Sequence, residues 1–230
     1  MRQLPLGVRL NEAARFDTFV AGDNRELVAR LAGSEPPRLL WLWGRAGSGK
    51  THLLQAACAA VGRRGGAATY VDLAATATPA LLEGCEVLDL VCLDAIDHVA
   101  GDERWNAAVF RLHTLMQDGA GRLLVASTAP PSTLEFRLAD LRSRLLAAPI
   151  HQVRELDDEG RITVLERRAA GLGLELPREA ASYLLQHRPR DMHSLCDALD
   201  RLDEAALAAQ RRLTVPFLRE VLDAQDPRVP

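Results

Sequence analysis

Apolar residues follow two different rhythms along this chain, and the change of rhythm divides it. Up to about residue 154, short apolar runs alternate with longer stretches in which apolar residues recur every three or four positions. The runs are Leu39-Leu40-Trp41-Leu42-Trp43, Ala67 to Asp72, Val87 to Asp94, Arg122 to Ser127 and Ile150 to Val153. Each is short, apolar and bounded by turn formers, the signature of a strand. Between them the periodicity predicts helices. One runs from Asp23 or Asn24 as cap to Leu31, one from His52 to Ala60, and a short one from Pro79 to Glu83. Another spans Asp102 to Met116, with Leu112, Leu115 and Met116 on its buried face, and a fifth spans Leu138 to Leu146. Strands alternating with helices predict an α/β fold, a parallel sheet between two helical layers. In such sheets ligands bind at the carboxyl ends of the strands.

From Asp157 the pattern is helical alone. Asp157 or Asp158 caps a helix ended by Gly171 and Gly173, Pro177 opens the next, Pro189-Arg190-Asp191 a long third, and Thr214-Val215-Pro216 the last. The expected organisation is a tail over 1–15, an α/β domain over 16–154 and a small all-helical domain over 155–230.

One stretch gives this scaffold a chemistry. Gly44-Arg45-Ala46-Gly47-Ser48-Gly49-Lys50-Thr51 fits G-x-x-x-x-G-K-[ST] and lies between a strand and a helix. Glycines let the backbone wrap a phosphate with its N–H groups turned inward, and the helix N-terminus adds its dipole. Lys50 supplies a point charge for the β/γ-phosphates and the Thr51 hydroxyl a ligand for Mg²⁺. A chance match in a chain of this length is on the order of 1%, and the strand–loop–helix context lowers it further. Lys50 is also the single lysine of the sequence, every other basic side chain being arginine. The two are not interchangeable in a tight phosphate cradle.

The formal net charge of −3 argues against binding to DNA through bulk electrostatics and leaves only weak or indirect contact. No apolar run reaches the length of a membrane span, and no signal-peptide core is present. Cys58, Cys85, Cys92 and Cys196 are scattered; they read as thiols of a reducing cytoplasm rather than as disulfides or a zinc site.

Asp94 ends the third strand, where a nucleotide site needs a carboxylate for its Mg²⁺. The next position, where a second acid would orient the attacking water, is Ala95; Asp97 lies two residues further on. Nucleotide binding is therefore expected, and autonomous hydrolysis is expected to be impaired. Thr128, at the end of the fourth strand, can bond a water or a phosphate. Arg142 and Arg144 are two apart and do not share a helix face, so one can bond locally while the other projects. Arg190 opens a helix and can touch a nucleotide or form a surface ion pair. In the tail, Gln3-Leu4-Pro5-Leu6 is either a short docking peptide or an ordinary terminus.

Taken together these segments resemble the AAA+ ATPases of the DnaA family, Hda branch, and the resemblance runs over nearly the whole chain. Phe19-Val20-Ala21-Gly22-Asp23-Asn24 is similar to the family's nucleotide-contact segment. Gly44 to Thr51 with His52-Leu53-Leu54 resembles its Walker A, and Val91-Cys92-Leu93-Asp94 its Walker B. Thr128 falls at sensor 1, Leu141-Arg142-Ser143-Arg144-Leu145 at the arginine-finger box, and Arg190-Asp191-Met192 at sensor 2. The resemblance implies a P-loop NTPase core with a helical lid, binding ADP or ATP with Mg²⁺. Val20, Asn24, Gly44, Arg45, Ala46, Gly47, Ser48, Gly49, Lys50, Thr51, His52, Thr128 and Arg190 are the expected nucleotide contacts, and Thr51 and Asp94 the expected metal contacts. It further implies Arg144 as a finger acting in trans on ATP held by DnaA, Gln3 to Leu6 as a peptide for the sliding clamp, and a cytoplasmic negative regulator of replication initiation. An autonomous ATPase such as a helicase loader is the alternative, and a homo-oligomer is compatible with either.

Overall fold

The computed structural model describes residues 14–223. The tail peptide Gln3 to Leu6 lies outside them. The described residues form two compact units, divided in the main after Glu155.

The first unit is built on five parallel strands, β1 (Leu39–Trp43), β2 (Ala68–Asp72), β3 (Leu90–Asp94), β4 (Arg122–Ser127) and β5 (Ile150–Gln152), in the order β2-β3-β4-β1-β5. Alternation along β1 explains why it is apolar at every position. Leu40 and Leu42 face one layer, packing with Leu53, Leu54, Tyr70 and Cys92. Trp41 faces the other, packing with Val71, Leu93, Leu112, Met116, Leu141 and Leu145. The first layer is made by α1 (Arg25–Ala32) and α2 (Lys50–Arg63), the second by α3 (Glu103–Asp118) and α4 (Ala139–Leu146). A strand covered on both faces has no polar side to show. Fully burying each leucine is worth about 1.5–3 kcal/mol.

Capping sets where α3 begins: the Asp102 carboxylate accepts from the backbone N–H groups of Arg104 and Trp105. Buried Asn106 donates to the carbonyls of Val99, Ala100 and Asp102 and accepts from the Leu138 N–H at 3.2 Å. One amide thus fixes the entry to α4, the helix that carries Arg142 and Arg144.

The second unit is a bundle of α5 (Asp158–Gly171), α6 (Arg178–His187), α7 (Met192–Ala209) and α8 (Val215–Asp223) around Leu165, Leu184, Leu195, Leu199, Leu202 and Leu218. Asp157 caps α5 through the Gly160 N–H, and Asp191 caps α7 through the Ser194 N–H.

Four local expectations need correction. The third strand starts at Leu90 rather than Val87, because Cys85–Val87 forms a 3-10 turn that leaves Val87 78% exposed. Leu115 is not core. It is 39% exposed and borders a cavity of about 400 Å³ shared with Pro79, Leu82, Arg104 and Arg111. Asn24 does not cap α1 with its side chain. Its amide instead donates to the Arg154 carbonyl (2.9 Å) and accepts from the Arg154 N–H (2.8 Å), pairing with both polar groups of that residue's backbone. Pro79–Leu82 is likewise a 3-10 turn, too short for the expected helix to develop. No helix among the described residues is long and apolar enough to cross a membrane.

Candidate functional site

The loop between β1 and α2 takes the shape its glycines permit. Gly47 and Gly49 sit at φ 78° and 98°, in the left-handed region that favours glycine. At Gly49 there is a second constraint: a Cβ would stand 2.7 Å from the Phe19 ring. Phe19 and the segment before it are held to α2 by His52. The His52 Nε2 is 2.9 Å from the Arg15 carbonyl, and its ring lies 5.3 Å from that of Phe19. That hydrogen bond makes Nε2 the protonated nitrogen of His52. Burial holds the His52 imidazole below its usual range, against the opposing effect of the Arg15 carbonyl. Val20, half-buried, continues this segment into the 3-10 turn Gly22–Asn24.

Lys50 is 7% exposed, and its ammonium donates to the carbonyls of Gly44 (2.6 Å) and Arg45 (2.9 Å). Burial lowers its pKa, and the charges of Asp94 and Asp97 pull it back up. Both carboxylates therefore act on the lysine that opens α2 after the glycine loop. Ser48 is buried too, and its hydroxyl has no hydrogen-bond partner among the described residues. An orphaned buried hydroxyl inside a loop of inward-facing backbone fits an anionic ligand.

Asp94 closes β3 and is 5% exposed. Its Oδ2 accepts from the Thr51 hydroxyl at 2.6 Å and from the Tyr70 hydroxyl at 2.9 Å, while Oδ1 accepts from the Ala95 N–H at 2.9 Å. Burial, then the Asp94 charge, raises the Tyr70 pKa far above its ordinary value, so the phenol stays a donor. Because Thr51 donates its proton to Asp94, its oxygen lone pairs remain open to a cation. A hydroxyl and a carboxylate are hard oxygen ligands, and Mg²⁺ takes few protein ligands beside phosphate and water. The residues present fit that ion.

Ala95 adopts φ 56°, the left-handed region, and the 3-10 turn Ile96–His98 follows. This turn brings Asp97 back to the strand ends. Asp97 accepts from both the hydroxyl and the N–H of Thr128. Thr128 is the first residue after β4, which lies between β3 and β1, so it stands between the Asp94 strand and the P-loop strand. Its neighbour Ser127 is fully buried and occupied, accepting from the Trp41 indole N–H (2.8 Å) and donating to the Ala129 carbonyl (2.7 Å).

Of the two arginines on α4, Arg142 is exposed and Arg144 is half-buried against α3. Arg190, in the helical unit, lies 3.4 Å from Asp158 of the same unit. Sequence reasoning missed Tyr70 and gave Asp97 no role. Both partnerships depend on strand register and on the turn at Ala95. Cys58 and Cys92 are buried free thiols with sulfurs 3.5 Å apart, Cys85 is buried, and Cys196 is half-buried.

Residues 158–222 match the family model described as "Hda, lid domain". Among solved structures, domain III of the Thermotoga maritima replication initiation protein DnaA superposes with a TM-score of 0.81 at 18% identity, covering 94% of this chain and 98% of that one. AMPPCP-bound DnaA from Aquifex aeolicus superposes with 0.70 at 22% identity, covering 89% and 70%. A Thermotoga maritima RuvB structure gives 0.69 at 14% identity, covering 94% and 73%. The fold is that of a P-loop AAA+ ATPase, followed by a helical lid of the Hda type.

Proposed function

We infer that this DnaA-like AAA+ protein with an Hda-type lid is a negative regulator of bacterial chromosomal replication initiation, acting on ATP held by DnaA. The match of residues 158–222 to the Hda lid carries this reading. The P-loop would hold ADP or ATP as a lasting part of the protein, with Val20 and Asn24 among its contacts and Lys50 on the phosphates. Thr51 and Asp94 would hold Mg²⁺, which supplies positive charge to the phosphate oxygens when bound. Ala95, at the position after Asp94, carries no group that orients water, which supports a site that keeps its nucleotide rather than consuming it.

The chemistry would lie in the partner's site. Arg144 would leave Phe110 and Thr114 and reach the nucleotide of DnaA, spreading its guanidinium over phosphate oxygens as charge develops in the transition state. The tail residues Gln3, Leu4, Pro5 and Leu6 would bring the protein to the DNA-loaded sliding clamp. The test is single-turnover hydrolysis of ATP preloaded on DnaA with loaded clamp present. The parent protein accelerates it, and Arg144→Ala removes roughly 10³-fold or more of that acceleration, the low end for fingers supplied in trans. Equal stimulation by Arg144→Ala would refute the finger.

One observation favours a second reading, an autonomous ATPase such as a helicase loader. Asp97 supplies a carboxylate beside Thr128 at the strand ends, two residues after Ala95. Phosphate release by the protein alone decides between them: turnover near the enzyme median of about 10 s⁻¹ would favour the second reading.

A further inference from the structure

We propose that the Tyr70 hydroxyl limits how much Mg²⁺ adds to nucleotide binding at this P-loop, by occupying an acceptor position on Asp94 that metal-bound water would otherwise use. The proposal rests on the nucleotide-binding reading of the site. Tyr70 pairs with Cys92 across the β2–β3 ladder, and Asp72 with Asp94. Its side chain therefore stands on the α2 face of the sheet, among Leu53, Leu54 and Cys92, and its phenol reaches two residues along β3 to the carboxylate.

The acceptor count on Asp94 gives the argument its force. An ionised carboxylate offers roughly four lone-pair positions. Thr51 and Tyr70 fill both on Oδ2, and the Ala95 N–H takes one on Oδ1. A single position is left. Mg²⁺ gives up its waters reluctantly and commonly meets an acid through them, so every further water bound to the ion needs an acceptor. The Thr51 bond leaves that hydroxyl's lone pairs free for the ion, and the Ala95 bond belongs to the backbone turn. Of the two side-chain bonds, only that of Tyr70 draws on the carboxylate without serving the metal. Both groups are buried, Tyr70 at 6% and Asp94 at 5% exposure, so solvent does not readily displace the phenol.

Nucleotide affinity then rests on Lys50 and the loop backbone more than on the metal. Replacing the phenol by phenylalanine keeps the ring in its apolar seat and doubles the free positions on Asp94. A tyrosine with a purely packing role would leave the metal dependence of binding where it was.

The experiment is calorimetry of ADP binding to the full chain in excess Mg²⁺ and in EDTA. In Tyr70→Phe the ratio of the two affinities is expected to rise about three- to tenfold over the parent, tenfold being about 1.4 kcal/mol, with the EDTA arm within about twofold of the parent. In Tyr70→Phe with Asp94→Asn the rise should vanish. Should Tyr70→Phe lose ADP binding in EDTA, Tyr70→Met carries the same comparison. An unchanged ratio, or a rise that survives Asp94→Asn, overturns the proposal while leaving the nucleotide site standing. Absence of ADP binding by the parent protein overturns both.

Discussion

The Arg144 guanidinium lies 4.6 Å from the centroid of the Phe110 ring, and its Nη1 donates to the Thr114 hydroxyl over 3.2 Å. α3 therefore provides a seat for the side chain proposed to work on another protein's nucleotide. Half-buried contacts of this kind have a stability signature separate from any catalytic one. Arg144→Ala should cost about 0.5–1 kcal/mol, read as a lower denaturant midpoint. Arg142→Ala, at an exposed position, should stay within about 0.5 kcal/mol of the parent. Equal midpoints for the two variants would mean that the Phe110 seat contributes nothing.

Lys50→Ala should weaken ADP binding at least tenfold by calorimetry, about 1.4 kcal/mol. The ammonium now held by the Gly44 and Arg45 carbonyls is the only lysine charge available to the phosphates. Undiminished affinity would mean that the loop is not a phosphate cradle.

Acid should destabilise the fold in the window where histidine titrates. His113 is 2% exposed, and neither ring nitrogen has a partner among the described residues. Burial, and then the nearby positive charge of Arg144, lowers its pKa; burial lowers that of His52. The unfolded imidazole, near 6.5, takes up its proton first. As pH falls below about 6.5 the unfolded state binds more protons, and stability drops until the folded pKa values are passed. Denaturant midpoints between pH 7.5 and 5.5 should therefore fall, and His113→Phe should flatten the slope. A parent midpoint that holds constant over that range would contradict the account.

The tail is tested by surface-immobilised clamp. Gln3→Ala with Leu4→Ala should abolish binding to it, because a short peptide concentrates its affinity in few side chains, and should leave ADP affinity unchanged. Retained capture of the double variant would reduce the tail to a terminus.

How far the site could be read from the sequence depends on how local each feature is. The P-loop was legible because its glycines, its lysine and its flanking strand and helix are contiguous. Asp94 was legible as the last residue of an apolar run. Two of the lid helices announced themselves, α5 through Asp157, one of its two expected caps, and α7 through the segment Pro189-Arg190-Asp191 expected to open it, where Asp191 caps. The role of Asn24 was not legible, because the backbone it pairs with lies 130 residues away. Tyr70 looked like any strand aromatic until the β2–β3 register set it beside Cys92, two residues from Asp94 on the same face. Asp97 depends on the left-handed turn at Ala95, which no composition rule assigns to alanine. The position of Arg144 in its helix was readable, but Phe110, on a helix more than thirty residues earlier in the chain, was not.

The solitary lysine has a practical consequence. Apart from the chain's α-amine, Lys50 carries the only primary amine in the molecule. Amine-selective acylation can therefore label a single side chain, and that side chain belongs to the proposed phosphate cradle. Burial that lowers its pKa raises the share of neutral, nucleophilic amine, while the neighbouring carbonyls restrict access to it. The mass of one tryptic-scale peptide, before and after acylation, becomes an occupancy gauge for the whole site, without an engineered probe and without a competing background from other lysines.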